Sequence, residues 1–210
     1  MICATVLLLS AVLMPQDTHA ASVKKAARKA YSRLLQQSEV GWEGTYGWDY
    51  APSGQLSFAL YDIDKNGVEE LILYWAGAPH SMGWNRIYTY YGGKIRSLGV
   101  YSEVTLYKNR KYICNAYAGQ GEISIEYYSI RKGKAKEVVS YDLLDHRSGG
   151  KLTKKTLDGM TFYCCNERVN GKGTTYKKCM QKEKTIIKSA RVKKLQYKRN
   201  TEKNRNRYLT

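Results

Sequence analysis

Between Phe58 and Tyr74 the chain reads FALYDIDKNGVEELILY, and the centre of this stretch places oxygen donors at alternate positions of one short loop. Asp62, Asp64 and Asn66 stand at loop positions one, three and five, Val68 at seven through its carbonyl, and Glu70 at nine. A calcium ion takes six to eight hard oxygen ligands, and alternate residues of a tightly curling loop aim their donors at one point. Gly67, at position six, supplies the sharp turn, where positive φ is usual. The chemistry these residues can do is cation binding, with Asp62, Asp64, Asn66, Val68 and Glu70 as metal ligands and calcium as the cofactor. The plain alternative is a metal-free hairpin, because Asn-Gly between apolar runs is a strong turn signal on its own.

The elements that must position these donors are strands. Leu56, Phe58 and Leu60 alternate with Ser57, Ala59 and Tyr61, and a second apolar run returns from Glu69 to Trp75. An EF-hand would need a preceding helix and a Glu at position twelve, which here is Leu73. The loop is therefore EF-hand-like only in its first half. It resembles the strand–loop–strand calcium loops of the FG-GAP and VCBS repeats.

The 210 residues are 43% hydrophobic, enough for one domain with a real core. Residues 1–20 hold a short apolar run, Ala4 to Met14, and end in Thr18-His19-Ala20. A run that short does not span a bilayer, and with small residues after it the stretch reads as a signal peptide cut after Ala20, although no Lys or Arg precedes the run. A single domain follows over residues 21–210. Val23, Ala27, Ala30, Tyr31 and Leu34 mark a helix within 21–39. From 55 to 145, strand-like runs recur about every ten residues with tight turns at Gly92-Gly93, Asn109-Arg110 and Lys132-Gly133, the pattern of an antiparallel meander. Two fragments, IYTYYGGKI and IEYYSIRKGKA, resemble each other weakly, as propeller blades do, but the span is too short to close a propeller. The expected fold is α+β: an open, propeller-like curved sheet with an N-terminal helix and short C-terminal helices.

The stretch HRSGGKLTKKTLDG, residues 146–159, reads as a polar connection and 159–210 as a basic α/β part, with a short strand from Met160 to Cys165, a helix capped by Thr174 or Thr175, a strand RVKKLQY, and a last helix capped by Asn200 or Thr201. Cutting after Ala20 removes Asp17 and no base, so the charge rises from +17 to +18. Residues 166–210 carry 15 Lys and Arg against three acids. Such a surface favours an anionic cell-wall polymer or glycan as partner without specific nucleic-acid recognition, or else simply keeps the protein in solution.

Other groups offer weaker chemistry. Trp42, Tyr46, Trp48 and Tyr50 crowd a glycine-spaced segment that could stack on a ligand, with His80 in a second loop, or could fold back as a lid over a sheet end. Cys114, Cys164, Cys165 and Cys179 permit two disulfides in an oxidising compartment, or stay as thiols in an anaerobe. Cys164 and Cys165, adjacent on a strand, must face opposite ways. Asp145, His146 and Cys164 supply the parts of a nucleophile–His–acid site, but neighbouring Asp145 and His146 are not expected to orient each other.

The exported amino terminus, FALYDIDKNGVEELIL, IYTYYGGKIRSLG, VNGKGTTYKK and the ending KRNTEKNRNRYL together resemble a group of uncharacterised secreted proteins of gut-type Firmicutes carrying a YDIDxNGxxEL loop. Many relatives have DGDG or DGNG here, so Lys65 stands where they carry Gly. The resemblance implies an exported, calcium-binding protein and no established activity. The expected function is that of an exported, non-enzymatic binding module with a structural calcium loop; the alternative is a secreted hydrolase acting on wall or dietary glycans across the Trp42–Tyr50 segment.

Overall fold

The apolar stripe of the first helix and the alternating runs after residue 55 assemble into an α+β structure built on antiparallel sheets. The computed structural model describes residues 16–42, 50–78, 84–146, 153–157 and 159–210. Helix α1 spans Gln16–Leu35 and so runs through the expected cleavage point. Two short strands, β1 (Glu39–Gly41) and β2 (Tyr50–Pro52), pair beside it. Next come β3 (Leu56–Tyr61), β4 (Glu70–Trp75), β5 (Trp84–Tyr91) and β6 (Lys94–Tyr101), then β7 (Glu103–Leu106), β8 (Tyr112–Gly119), β9 (Glu122–Arg131) and β10 (Lys134–Leu144). The carboxy-terminal third adds β11 (Thr153–Leu157), β12 (Met160–Val169), β13 (Lys172–Gly173), α2 (Tyr176–Ile187), β14 (Lys198–Arg199) and α3 (Glu202–Tyr208).

The meander does not remain one curved sheet. It breaks at Ser102 into a sheet of order β14-β3-β4-β5-β6 and another of order β11-β12-β10-β9-β8-β7, with β13 on β12. The physical reason is burial on both faces. Leu71, Ile72 and Leu73 of β4 are all fully buried, a run without alternation. Leu71 and Leu73 pack with Phe58, Trp75 and Tyr88 against Ala27, Tyr31 and Leu35 of α1. Ile72 packs with Ile87 and Leu98 against Leu106 and Ile113 of the second sheet. Each such side chain contributes about 1.5–3 kcal/mol on leaving water, so an open single sheet would forfeit one whole layer. The second sheet covers its far face with α2 through Cys179 and Ile186.

The two weakly similar hairpins meet at their turns. A Cβ on Gly133, which has φ +69, would lie 2.7 Å from Tyr91 Cβ and Arg96 Cδ, so this turn accepts only glycine without movement.

The carboxy-terminal part is woven through both sheets. β12 extends beyond Cys165 to Val169, and β11 forms within the stretch expected to be a polar connection, because Thr153–Leu157 has an edge to pair with. The expected strand RVKKLQY forms no ladder, apart from one bridge between Tyr107 and Val192. The ladder comes one residue later, where Lys198 and Arg199 pair with Phe58 and Ser57. Thr201 caps α3 by accepting from Asn204 N–H.

Candidate metal centre

The loop between β3 and β4 is held by its apolar residues. Ile63 is buried among the inter-sheet side chains and Val68 on the α1 side, which leaves Asp62, Asp64 and Asn66 facing outward between them. Two left-handed steps curl the backbone: Lys65 at φ 59 and Gly67 at φ 89. Lys65 occupies a left-handed conformation that suits glycine. It compensates in part: its Nζ donates to Tyr61 OH at 2.7 Å and lies 3.9 Å from the centre of the Tyr61 ring.

The curl turns backbone amides inward onto the acids. Asp62 Oδ1 accepts from Asn66 N–H and Oδ2 from Gly67 N–H, each at 3.1 Å. Asp64 Oδ1 accepts from Asn66 N–H at 3.2 Å and Oδ2 from Asn66 Nδ2 at 3.0 Å. The Asn66 Oδ1 accepts from Val68 N–H at 2.7 Å, so this donor serves the loop's own backbone.

Glu70 is the buried member, at 0% exposure. It opens β4 on the face toward the second sheet, one step along the ladder from the Leu71–Tyr88 pair, which sets it beside Thr89. Thr89 Oγ1 donates to its Oε1 at 3.0 Å and Ile63 N–H to its Oε2 at 2.7 Å. Oxygens of Asp62, Asp64 and Glu70 all lie within 4.8 Å of one another, and no other group of three metal-binding side chains converges so among the described residues. Burial pushes the Glu70 carboxyl up to about 8, with Asp64 and Asp62 adding to the rise against the two hydrogen bonds. Asp64 is raised too, by burial first and then by Asp62. Three carboxylates held this close repel unless a proton or a cation sits among them.

On its other side the loop is fixed to α1. Glu69 does not point to solvent. Arg28 grips its carboxylate through Nη2 at 2.9 Å and Nε at 3.1 Å, and Lys24 Nζ stands at 3.3 Å. Tyr31 OH donates to the Glu69 carbonyl at 3.0 Å. Sequence reasoning missed Thr89, Ile63 and this helix contact. Tyr31 lies in the buried stripe of α1 and Arg28 beside it, which is the one signal that could have placed them beside an acidic loop.

No protein-family model, curated protein or solved structure matches the chain. The loop is thus read from its own residues and their geometry.

Among the described residues, the other candidates do not assemble into a site. Trp42 is buried at 2% and packs edge-on against Trp75, ring centres 5.5 Å apart, so it belongs to the core and not to a ligand platform. Tyr50 is exposed on β2, while Tyr46, Trp48 and His80 lie outside the described residues. Cys114, Cys164, Cys165 and Cys179 are free thiols. Cys164 and Cys165 do face opposite ways: Cys164 shares a cluster with Cys114 and Cys179 under α2, and Cys165 is half-buried on the other face. Burial pushes Cys164 and Cys179 up to about 11, which removes them as nucleophiles. Contrary to expectation, His146 Nδ1 and Asp145 Oδ1 do meet, at 2.8 Å, but both side chains are exposed and Cys164 is buried elsewhere. No helix among the described residues is long and apolar enough to cross a membrane.

Proposed function

We propose that this is an exported, non-enzymatic protein in which the 62–70 loop holds calcium as a structural ion and the basic carboxy-terminal part binds an anionic polymer or glycan outside the cell. The observation that carries the metal reading is the convergence of the Asp62, Asp64 and Glu70 oxygens within 4.8 Å around a fully buried carboxylate. An ionised carboxylate is costly to bury without a partner. The set is all oxygen and rich in carboxylates, which suits a hard divalent cation and disfavours soft metals. Asp62, Asp64 and Glu70 fit the role as they stand, and Val68 contributes through its carbonyl. Asn66 joins only by releasing the Val68 amide from its Oδ1. The bound ion supplies positive charge and no reaction.

Export is consistent with the helix that spans the cut. Ala27, Tyr31 and Leu35, which bury α1 against the first sheet, all follow Ala21 and survive cleavage. Intact mass of the protein recovered from culture medium tests this: a chain beginning at Ala21 is expected, and full-length material retained with membranes would contradict it.

The metal reading is tested by isothermal titration of metal-stripped protein with calcium chloride. Extracellular calcium modules bind at about 10⁻⁴–10⁻³ M. One site in that range is expected, lost in Asp62→Ala. The partner reading is tested on immobilised heparin, where retention must fall steeply as salt rises if the 166–210 charge drives it.

A further inference from the structure

Three cations that have no acidic partner among the described residues line one cleft at the edge of the first sheet. Among the described residues, β14 pairs with Ser57 and Phe58 alone, and on that side β3 has no ladder partner from Ala59 onward. The chain before β14 leaves this edge and crosses to the second sheet, where Lys193 N–H donates to the Leu106 carbonyl at 2.8 Å. The gap is a cleft of about 290 Å³ whose lining includes Leu60, Leu195, Lys193, Lys198, Arg207 and Tyr208, together with the Arg28–Glu69 pair. Lys198 Nζ and Arg207 Cζ stand 5.7 and 5.4 Å from the centre of the same Tyr208 ring. Lys193 Nζ lies 5.3 Å from the Tyr61 ring.

The fourth cation of the cleft, Arg28, is spent on Glu69. Among the described residues, no carboxylate comes within ion-pair distance of Lys193, Lys198 or Arg207. Like charges gathered at an apolar floor are a standing cost that an anion relieves, and low-dielectric walls strengthen its attraction. Much of the 166–210 charge lies on exposed lysines, where it acts at long range and is screened by salt.

We infer that this cleft seats one anionic unit of the polymer, a phosphate or sulfate group on a carbon skeleton, with its charge on Lys193, Lys198 and Arg207 and its carbons against Leu195 and Tyr208. The inference rests on the polyanion reading above and gives it a place. An acidic peptide could instead add along the open β3 edge, but the three uncompensated charges call for a denser anion than a peptide presents.

The test is isothermal titration of the full chain with a heparin hexasaccharide and with a polyphosphate of equal charge, at low salt. The variant Lys193→Ala/Lys198→Ala/Arg207→Ala is compared with Lys177→Ala/Lys178→Ala/Lys184→Ala, which removes equal charge from the exposed face of α2. The cleft variant is expected to lose about tenfold or more in affinity for at least one polymer, and the control less than about threefold. Equal losses would overturn the cleft while leaving the general polyanion reading intact. Wild type that binds neither polymer would overturn that reading itself. Binding of poly-glutamate in place of both polymers, weakened by the cleft substitutions, would replace the occupant. Should the triple variant not fold, the exposed Arg207→Glu alone serves, with a loss of about threefold or more expected and no loss contradicting the inference.

Discussion

Ile63 donates its backbone N–H to Glu70 Oε2 at 2.7 Å, across the neck of the loop that carries both remaining acids. The bond ties the first turn of the loop to the first residue of β4, and it places the fully buried Glu70 carboxylate where Asp62 and Asp64 converge. A pH dependence follows. The Glu70 carboxyl is pushed by burial from 4.5 to about 8, so between those values the folded state keeps a proton that the unfolded state has released. Without calcium, stability contributed by this group is present below about 4.5 and falls as pH rises toward 8. Glu70→Gln, which keeps the shape and cannot ionise, should remove that slope. Melting temperatures in chelator at about pH 5.5 and 8.5 check this. Parallel slopes in wild type and variant would assign the pH dependence elsewhere.

Glu69 and Arg28 form the second attachment of the loop, apart from the acidic cluster. Their side chains are 21% and 29% exposed, so the pair is only partly shielded from solvent. Glu69→Gln should cost about 0.5–1 kcal/mol in urea unfolding and leave calcium affinity within about twofold of wild type. A large loss of calcium affinity would mean that Glu69 and not Glu70 closes the site.

Asn200 locks the carboxy terminus to the end of α1 and to the turn after β2. Its Nδ2 donates to the Leu35 and Ser53 carbonyls at 2.9 and 3.0 Å, and its Oδ1 accepts from Arg205. Asn200→Ala strands two buried carbonyls and should cost about 2–3 kcal/mol. Urea unfolding with an unchanged midpoint would show that β14 and α3 do not share the cooperative unit.

The four thiols of residues 21–210, a set that leaves out Cys3 of the expected signal peptide, should differ in reactivity in the folded protein. Cys165, half-buried, alkylates first, while Cys114, Cys164 and Cys179 are buried and react only on unfolding. Mass spectrometry after brief iodoacetamide treatment reads this directly. Fewer than four alkylated sites after full denaturation without reductant would mean that disulfides form.

Much of this structure was legible before folding. Alternation placed β3, β5 and the hairpins through β10, and the 1-3-5-9 spacing singled out the acids that converge. What the sequence hid were relationships set by a partner far along the chain. The unbroken run at Leu71–Leu73 signals burial on two faces but does not name α1 and the second sheet as the two covers. Thr89 reaches Glu70 only because of the β4–β5 register. Trp42 looked like a platform since nothing in a glycine-spaced segment shows that Trp75 waits beneath it. The strand expected at 191–197 failed because its neighbours lie in two different sheets.

The measurement that bears most directly on the central claim is the melting temperature of the wild type in millimolar calcium against chelator, with Asp62→Ala and Lys65→Ala alongside. At tenfold saturation the ligand adds about 1.4 kcal/mol, or about 3–6 °C for a chain of this size. The account predicts that rise in wild type and in Lys65→Ala, whose Nζ donates to Tyr61 OH and to the Asp62 carbonyl but offers no oxygen to the cluster, and no rise in Asp62→Ala. A wild type that melts at the same temperature with and without calcium would make residues 62–70 a metal-free turn whose buried glutamate is simply protonated.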